Sequence, residues 1–128
     1  MPRVSAAFFA VGILCALIGM VLGMQMGATE NFVLTPAHAH LNLVGWATLA
    51  LYGGFYALAP HASMRLAWIN FTVSTVGVFV MIPSLVMFLQ GGNDPKWVPP
   101  MATGEAITAL GAVIFAVSVF RELFRSRT

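Results

Sequence analysis

VSAAFFAVGILCALIGMVLGMQMGAT, from Val4 to Thr29, contains no charged side chain. The hydrocarbon core of a bilayer is about 30 Å thick and takes about 20 helical residues to cross, so this stretch is long enough to span it. Its apolar run is too long for a signal peptide and no A-x-A-like cleavage site follows, so it is read as an anchor. Residues 31–64, 66–93 and 106–120 are also free of charge. The last of these is short, and its helix has to use Met101 to Glu105 before it and part of Arg121 to Phe124 after it. These gaps predict helices near 5–26, 37–59, 66–90 and 101–123. Thr35 is the expected N-cap of the second helix, with Pro36 in its first turn. Gly91-Gly92-Asn93-Asp94-Pro95 stops the third helix, Pro99-Pro100 introduces the fourth, and Pro83 is expected to kink the third from inside. The predicted fold is all-α: one domain, residues 1–128, built as an integral-membrane four-helix bundle.

Composition agrees with that reading. Of 128 residues, 59% are hydrophobic and only 8% charged, and the mean hydropathy is +0.89. A soluble domain carries about 25% charged residues, so a soluble enzyme, a nucleic-acid binder and a disordered chain are all excluded. The lipid bilayer is the expected solvent. The net charge of +2 sets orientation instead of a partner. Arg3, Arg65, Arg121, Arg125 and Arg127 fall on one side and Lys96 alone on the other. The positive-inside rule then places the N and C termini in the cytoplasm of a multi-pass protein, with the bacterial inner (cytoplasmic) membrane as the expected location. The single Cys15 excludes an internal disulfide and is read as packing.

Polar residues at membrane depth are costly, so they are the functional candidates. His38 and His40 open the second helix just inside the outer boundary. At 100° per residue they point about 200° apart, to nearly opposite sides of a regular helix, and cannot share one metal ion. Each imidazole suits a separate metal centre or a supporting hydrogen bond. Asn42, one turn after His38, could orient its ring. Gly45, seven residues after His38, leaves clearance for a porphyrin. Glu105 lies about as deep in the fourth helix as His40 in the second, and is read as accepting a His N–H or exchanging a proton. Lys96 sits in the outer loop, where it could pair with a haem propionate. Met20, Met24, Met26, Met87 and Met101 share the outer third, where thioether and imidazole would suit haem or copper.

The run His38-Ala-His40-Leu-Asn-Leu-Val-Gly-Trp46, continued by Leu51-Tyr-Gly-Gly-Phe-Tyr-Ala-Leu-Ala-Pro60, resembles a helix of the haem–copper oxidase superfamily, which includes the catalytic subunits of cytochrome c oxidases and nitric oxide reductases. The likeness covers about 25 residues. In that superfamily an H-x-H pair serves two haems on opposite sides of one helix, so the resemblance implies His38 and His40 as axial ligands. Such subunits have about twelve spans and three further copper-ligand histidines, and this chain lacks those histidines, so it is not expected to be a complete terminal oxidase.

The leading expectation is an integral-membrane haem b protein for electron transfer, or for binding oxygen or nitric oxide, with a respiratory-chain redox partner. Because one protomer offers too few ligands for a six-coordinate haem, a homo-oligomer is expected. The ridge of Gly12, Ala16, Gly19, Gly23 and Gly27 on the first helix would let two backbones approach, in the oligomer or within the chain. The alternatives are a copper-binding membrane protein using His38, His40 and nearby Met, and a cofactor-free structural or assembly subunit of a respiratory complex.

Overall fold

The computed structural model describes residues 1–126, and every regular element among them is helical. Arg127, counted above on the basic side, lies outside the described residues. Helix α1 spans Arg3–Thr29, α2 Thr35–Leu58, α3 Met64–Gln90 and α4 Val98–Leu123. A 3₁₀ turn at Pro95–Trp97 leads into α4. The shortest of the four, α2, has 24 residues, about 36 Å at 1.5 Å per residue, which exceeds the hydrocarbon thickness. The chain is therefore a four-helix bundle whose helices are all long and apolar enough to span a membrane.

The helix ends differ from expectation for local reasons. Thr35 is already helical and does not cap, because its hydroxyl donates to the Phe32 carbonyl at 2.7 Å. The fourth helix starts at Val98 instead of near 101, since Pro99 and Pro100 sit in a first turn where a missing N–H leaves nothing unpaired. Helix α1 runs on to Thr29 and stops where Glu30 turns into the left-handed region, at φ 53°.

The largest departure lies inside α2. From Leu41 to Thr48 its backbone widens into a π-helical segment, so the 100° spacing assumed from sequence does not hold there. Thr48 Oγ1 donates to the Leu43 carbonyl five residues back, at 2.8 Å. Within this segment Gly45 meets Cys15 of α1 and Trp46 meets Gly12.

Two pairings organise the bundle. Helices α1 and α2 pack along the α1 glycines. Helices α3 and α4 approach backbone to backbone, because a methyl on Gly104 would stand 2.5 Å from the Met81 nitrogen and one on Gly77 would stand 2.7 Å from that of Thr108. An inner aromatic core then joins the pairs. Phe8 of α1 stacks on Tyr56 of α2 with ring centroids 5.9 Å apart, and Tyr52 stacks on Phe115 of α4 at 4.3 Å. A second cluster of Cys15, Leu41, Val78, Met81 and Ile82 fills the outer half. Large apolar side chains such as Leu14, Leu17, Ile18 and Val21 remain exposed on α1, the pattern expected where the surrounding solvent is lipid.

Candidate functional site

The outer polar group is built on facing turns of α1 and α2. His38 and Asn42 lie one turn apart and both meet α1 where it presents Gly19 and Gly23. His38 Nδ1 is 2.8 Å from the Gly19 carbonyl, which can only accept, so this nitrogen carries the proton. The Asn42 amide nitrogen lies 3.4 Å from each ring nitrogen. Nε2, left unprotonated, is the one it can donate to. A methyl on Gly23 would stand 2.9 Å from His38 Cε1, so the imidazole occupies the space that the missing side chain leaves. The orienting role expected of Asn42 is compatible with this contact, but the ring it orients is a wedge between two helices.

The other expected site residues are held elsewhere. His40 Nδ1 donates at 2.7 Å to the Pro36 carbonyl, one turn back on its own helix. A methyl on Gly45 would stand 2.9 Å from Cys15 Cβ and Sγ, so the clearance expected there for a porphyrin is filled by α1. Lys96 pairs locally with Asp94 at 3.8 Å and stands 5.8 Å from the Trp97 ring centroid. Glu105 is exposed on α4, and among the described residues it shares no hydrogen bond or ion pair with His38 or His40. Met20, Met24 and Met87 are exposed, whereas Met26 is buried.

These positions overturn the leading expectation. Among the described residues, no three or more His, Cys, Asp or Glu gather where they could hold a metal ion. Haem b with His38 and His40 as its ligands is corrected on that finding, as is the copper alternative. Electron transfer, gas binding and a respiratory redox partner fall with the cofactor that implied them. The physical reason is that His38 is committed to α1 and His40 to its own helix, while Glu105 stands on a helix that packs against α3. The homo-oligomer is corrected too. Its ridge is occupied within the chain, Gly12 by Trp46, Gly19 by Asn42 and Gly23 by His38, and no haem remains to be completed by a second copy.

Sequence reasoning missed a second polar group at the inner end. Asn70 Nδ2 donates to Tyr56 Oη at 2.9 Å, Tyr56 Oη donates to Ser118 Oγ at 2.9 Å, and Ser74 Oγ donates to Asn70 Oδ1 at 2.9 Å. All four residues are buried, Asn70 and Tyr56 completely. The chain of bonds ties α2, α3 and α4 together, and the Tyr56 ring that takes part in it also contacts Phe8 and Phe115. Asn70 was the visible signal, an amide inside an apolar run. Tyr56 and Ser118 read as ordinary members of apolar helices, and nothing local joins residues 62 positions apart. Ser5 Oγ and Thr75 Oγ1 are the two buried side-chain oxygens that find no partner among the described residues.

No family model, no curated protein and no solved structure matches the chain.

Proposed function

We propose that the chain is a cofactor-free structural subunit that supports assembly of a larger respiratory membrane complex. One observation carries the reading: His38 and the buried group around Tyr56 close on other helices of the same chain, whereas His40 bonds within its own helix and Glu105 stays exposed. His38 is bonded to α1, and Tyr56, Asn70, Ser74 and Ser118 are bonded to one another. In hydrocarbon such bonds hold helices in a chosen register, which is what a scaffold requires.

The docking face is the outer side of α4. Leu110, Val113, Val117 and Phe120 follow each other at helical spacing and are all exposed. Helix α4 is also the least enclosed of the four, with 11% of its apolar stretch buried inside the chain against 28% to 33% for the others. The likeness of the His38–Trp46 segment to haem–copper oxidase helices is the reason for naming a respiratory complex as the partner. The excess of Arg at one end supports an orientation with both termini in the cytoplasm of a bacterium.

A photo-crosslinking residue at Val113 or Val117 tests this directly in native membranes. The expected result is one discrete protein adduct containing a respiratory subunit, absent when the probe is placed at Leu51 on α2. Loss of the chain should also lower the assembled complex several-fold. Failure to crosslink protein, together with unchanged respiratory complexes, would overturn the reading. A haem absorption band, or stoichiometric iron or copper, in protein purified from haem-supplied cells would overturn its cofactor-free part.

A further inference from the structure

The outer end of the bundle holds two cavities that run into each other. The first, of about 330 Å³, opens at the outer boundary and is lined by Gln25, Thr29 and Asn31 after α1 and by Gln90 at the end of α3. The second, of about 450 Å³, is a groove toward the bilayer with walls that include Leu17, Ile18, Leu41, Ile82 and Val86. Leu22, Gln25 and Leu34 belong to both, so one continuous cleft passes from a polar mouth to an apolar trough.

The amide side chains make the mouth chemically specific. Thr29 donates to the Gln25 backbone carbonyl within the last turn of α1, and Asn31 accepts from the Val33 nitrogen within the loop that follows. Gln25 and Gln90, from two helices, both line this mouth and are exposed, and their side-chain amides make no hydrogen bond among the described residues. Each offers two donors and an acceptor at the depth of the headgroups. No charged residue lines either cavity, and Glu30 lies between Thr29 and Asn31 in the chain, at the rim, where it disfavours an anion. Below the mouth, Leu17 is eight residues from Gln25, so the trough follows about 12 Å of α1.

We propose that this cleft binds a single-tailed amphiphile with an uncharged, oxygen-bearing head. The head hydrogen-bonds to Gln25 and Gln90, and the tail lies along Leu17, Ile18, Ile82 and Val86. An apolar trough with a few polar groups at its mouth is the usual make-up of a ligand site. The same chemistry belongs to a monoacylglycerol and to a membrane quinone. The site is on the opposite end of the bundle from the Tyr56 network, and it involves neither that network nor the docking face on α4.

Isotope-labelled full-length protein in phosphatidylcholine nanodiscs provides the test. Its side-chain amide resonances are followed while 1-oleoylglycerol, decylubiquinone or oleoyl-lysophosphatidylglycerol is added. Saturable shifts of the Gln25 and Gln90 amides are expected with at least one neutral probe, and the tighter of the two neutral probes identifies the source. Gln25→Leu should weaken that binding about fivefold, the equivalent of one net hydrogen bond, and Val86→Trp should abolish it by filling the trough. Shifts that never saturate, equal binding of the anionic probe, or a Gln25→Leu protein that binds like the unmodified one would each overturn the proposal. Gln25→Leu makes an exposed helical position more apolar, and the titration of the unmodified protein decides the site even where a variant fails to fold.

Discussion

The Tyr56 phenol and the Ser118 hydroxyl stand 2.9 Å apart, although 62 residues separate them in the chain. This bond fixes α2 against α4 at the inner end of the bundle, and the Asn70 amide donating to the same phenol draws α3 into the junction. Tyr56→Phe should therefore destabilise the bundle by about 0.5–2 kcal/mol, the range of interhelical hydrogen bonds in membranes. A double-mutant cycle with Ser118→Ala, read by reversible unfolding in mixed micelles, should show coupling. Strict additivity would show that the bond does not hold the helices together.

The α3–α4 contact depends on glycine at close backbone approach. A methyl on Gly104 would meet both the nitrogen and the Cα of Met81, at 2.5 and 2.6 Å. Backbone atoms cannot swing aside as a side-chain tip can, so Gly104→Leu should displace α4 and cost more than about 2 kcal/mol. Gly54→Ala is the matching control, because a methyl there meets nothing within 4 Å. Thermal unfolding in detergent should separate the two variants by many degrees.

His38 and His40 should respond unequally to truncation. His38→Ala removes a wedge seated on Gly23 and a bond to α1, and is expected to cost about 1–3 kcal/mol. His40→Ala removes a bond within one turn of α2 and should stay within about 0.5 kcal/mol. Equal losses in the two variants would contradict the assignment of His38 as the interhelical contact.

Orientation has its own test. Lys96 lies in the loop between α3 and α4 with its side chain 69% exposed, and His61 is exposed in the turn between α2 and α3. In a Cys15→Ala background, Lys96→Cys should react with a membrane-impermeant maleimide on intact cells, while His61→Cys should react only after the membrane is opened. The reverse pattern would invert the positive-inside assignment.

The difference between what was legible and what was not follows the range of each interaction. Thr35 and Pro99 moved helix ends by two or three residues because a single carbonyl or a missing N–H decided them. The expected convergence of the polar residues near His38 on a cofactor was not found. That expectation required His38 and His40 to project from a regular helix into free space. Instead α2 is widened from Leu41 to Thr48, and α1 fills the space beside Gly45. The Gly12, Gly19 and Gly23 ridge was visible as a contact surface, with its partner undetermined.

Sequence alone determined the number and rough placement of the four apolar helices, because moving a charge into hydrocarbon is so unfavourable that long stretches without charge mark candidate spans. Tertiary structure decided which faces meet, His38 with Gly19 and Gly23, Tyr56 with Ser118 and Asn70. Lipid is as apolar as leucine, so the outward face of a membrane helix need not be polar and the inward face leaves little periodic trace. The rotation of each helix is set by close packing and a few hydrogen bonds between distant residues, and these exist only once the bundle has formed.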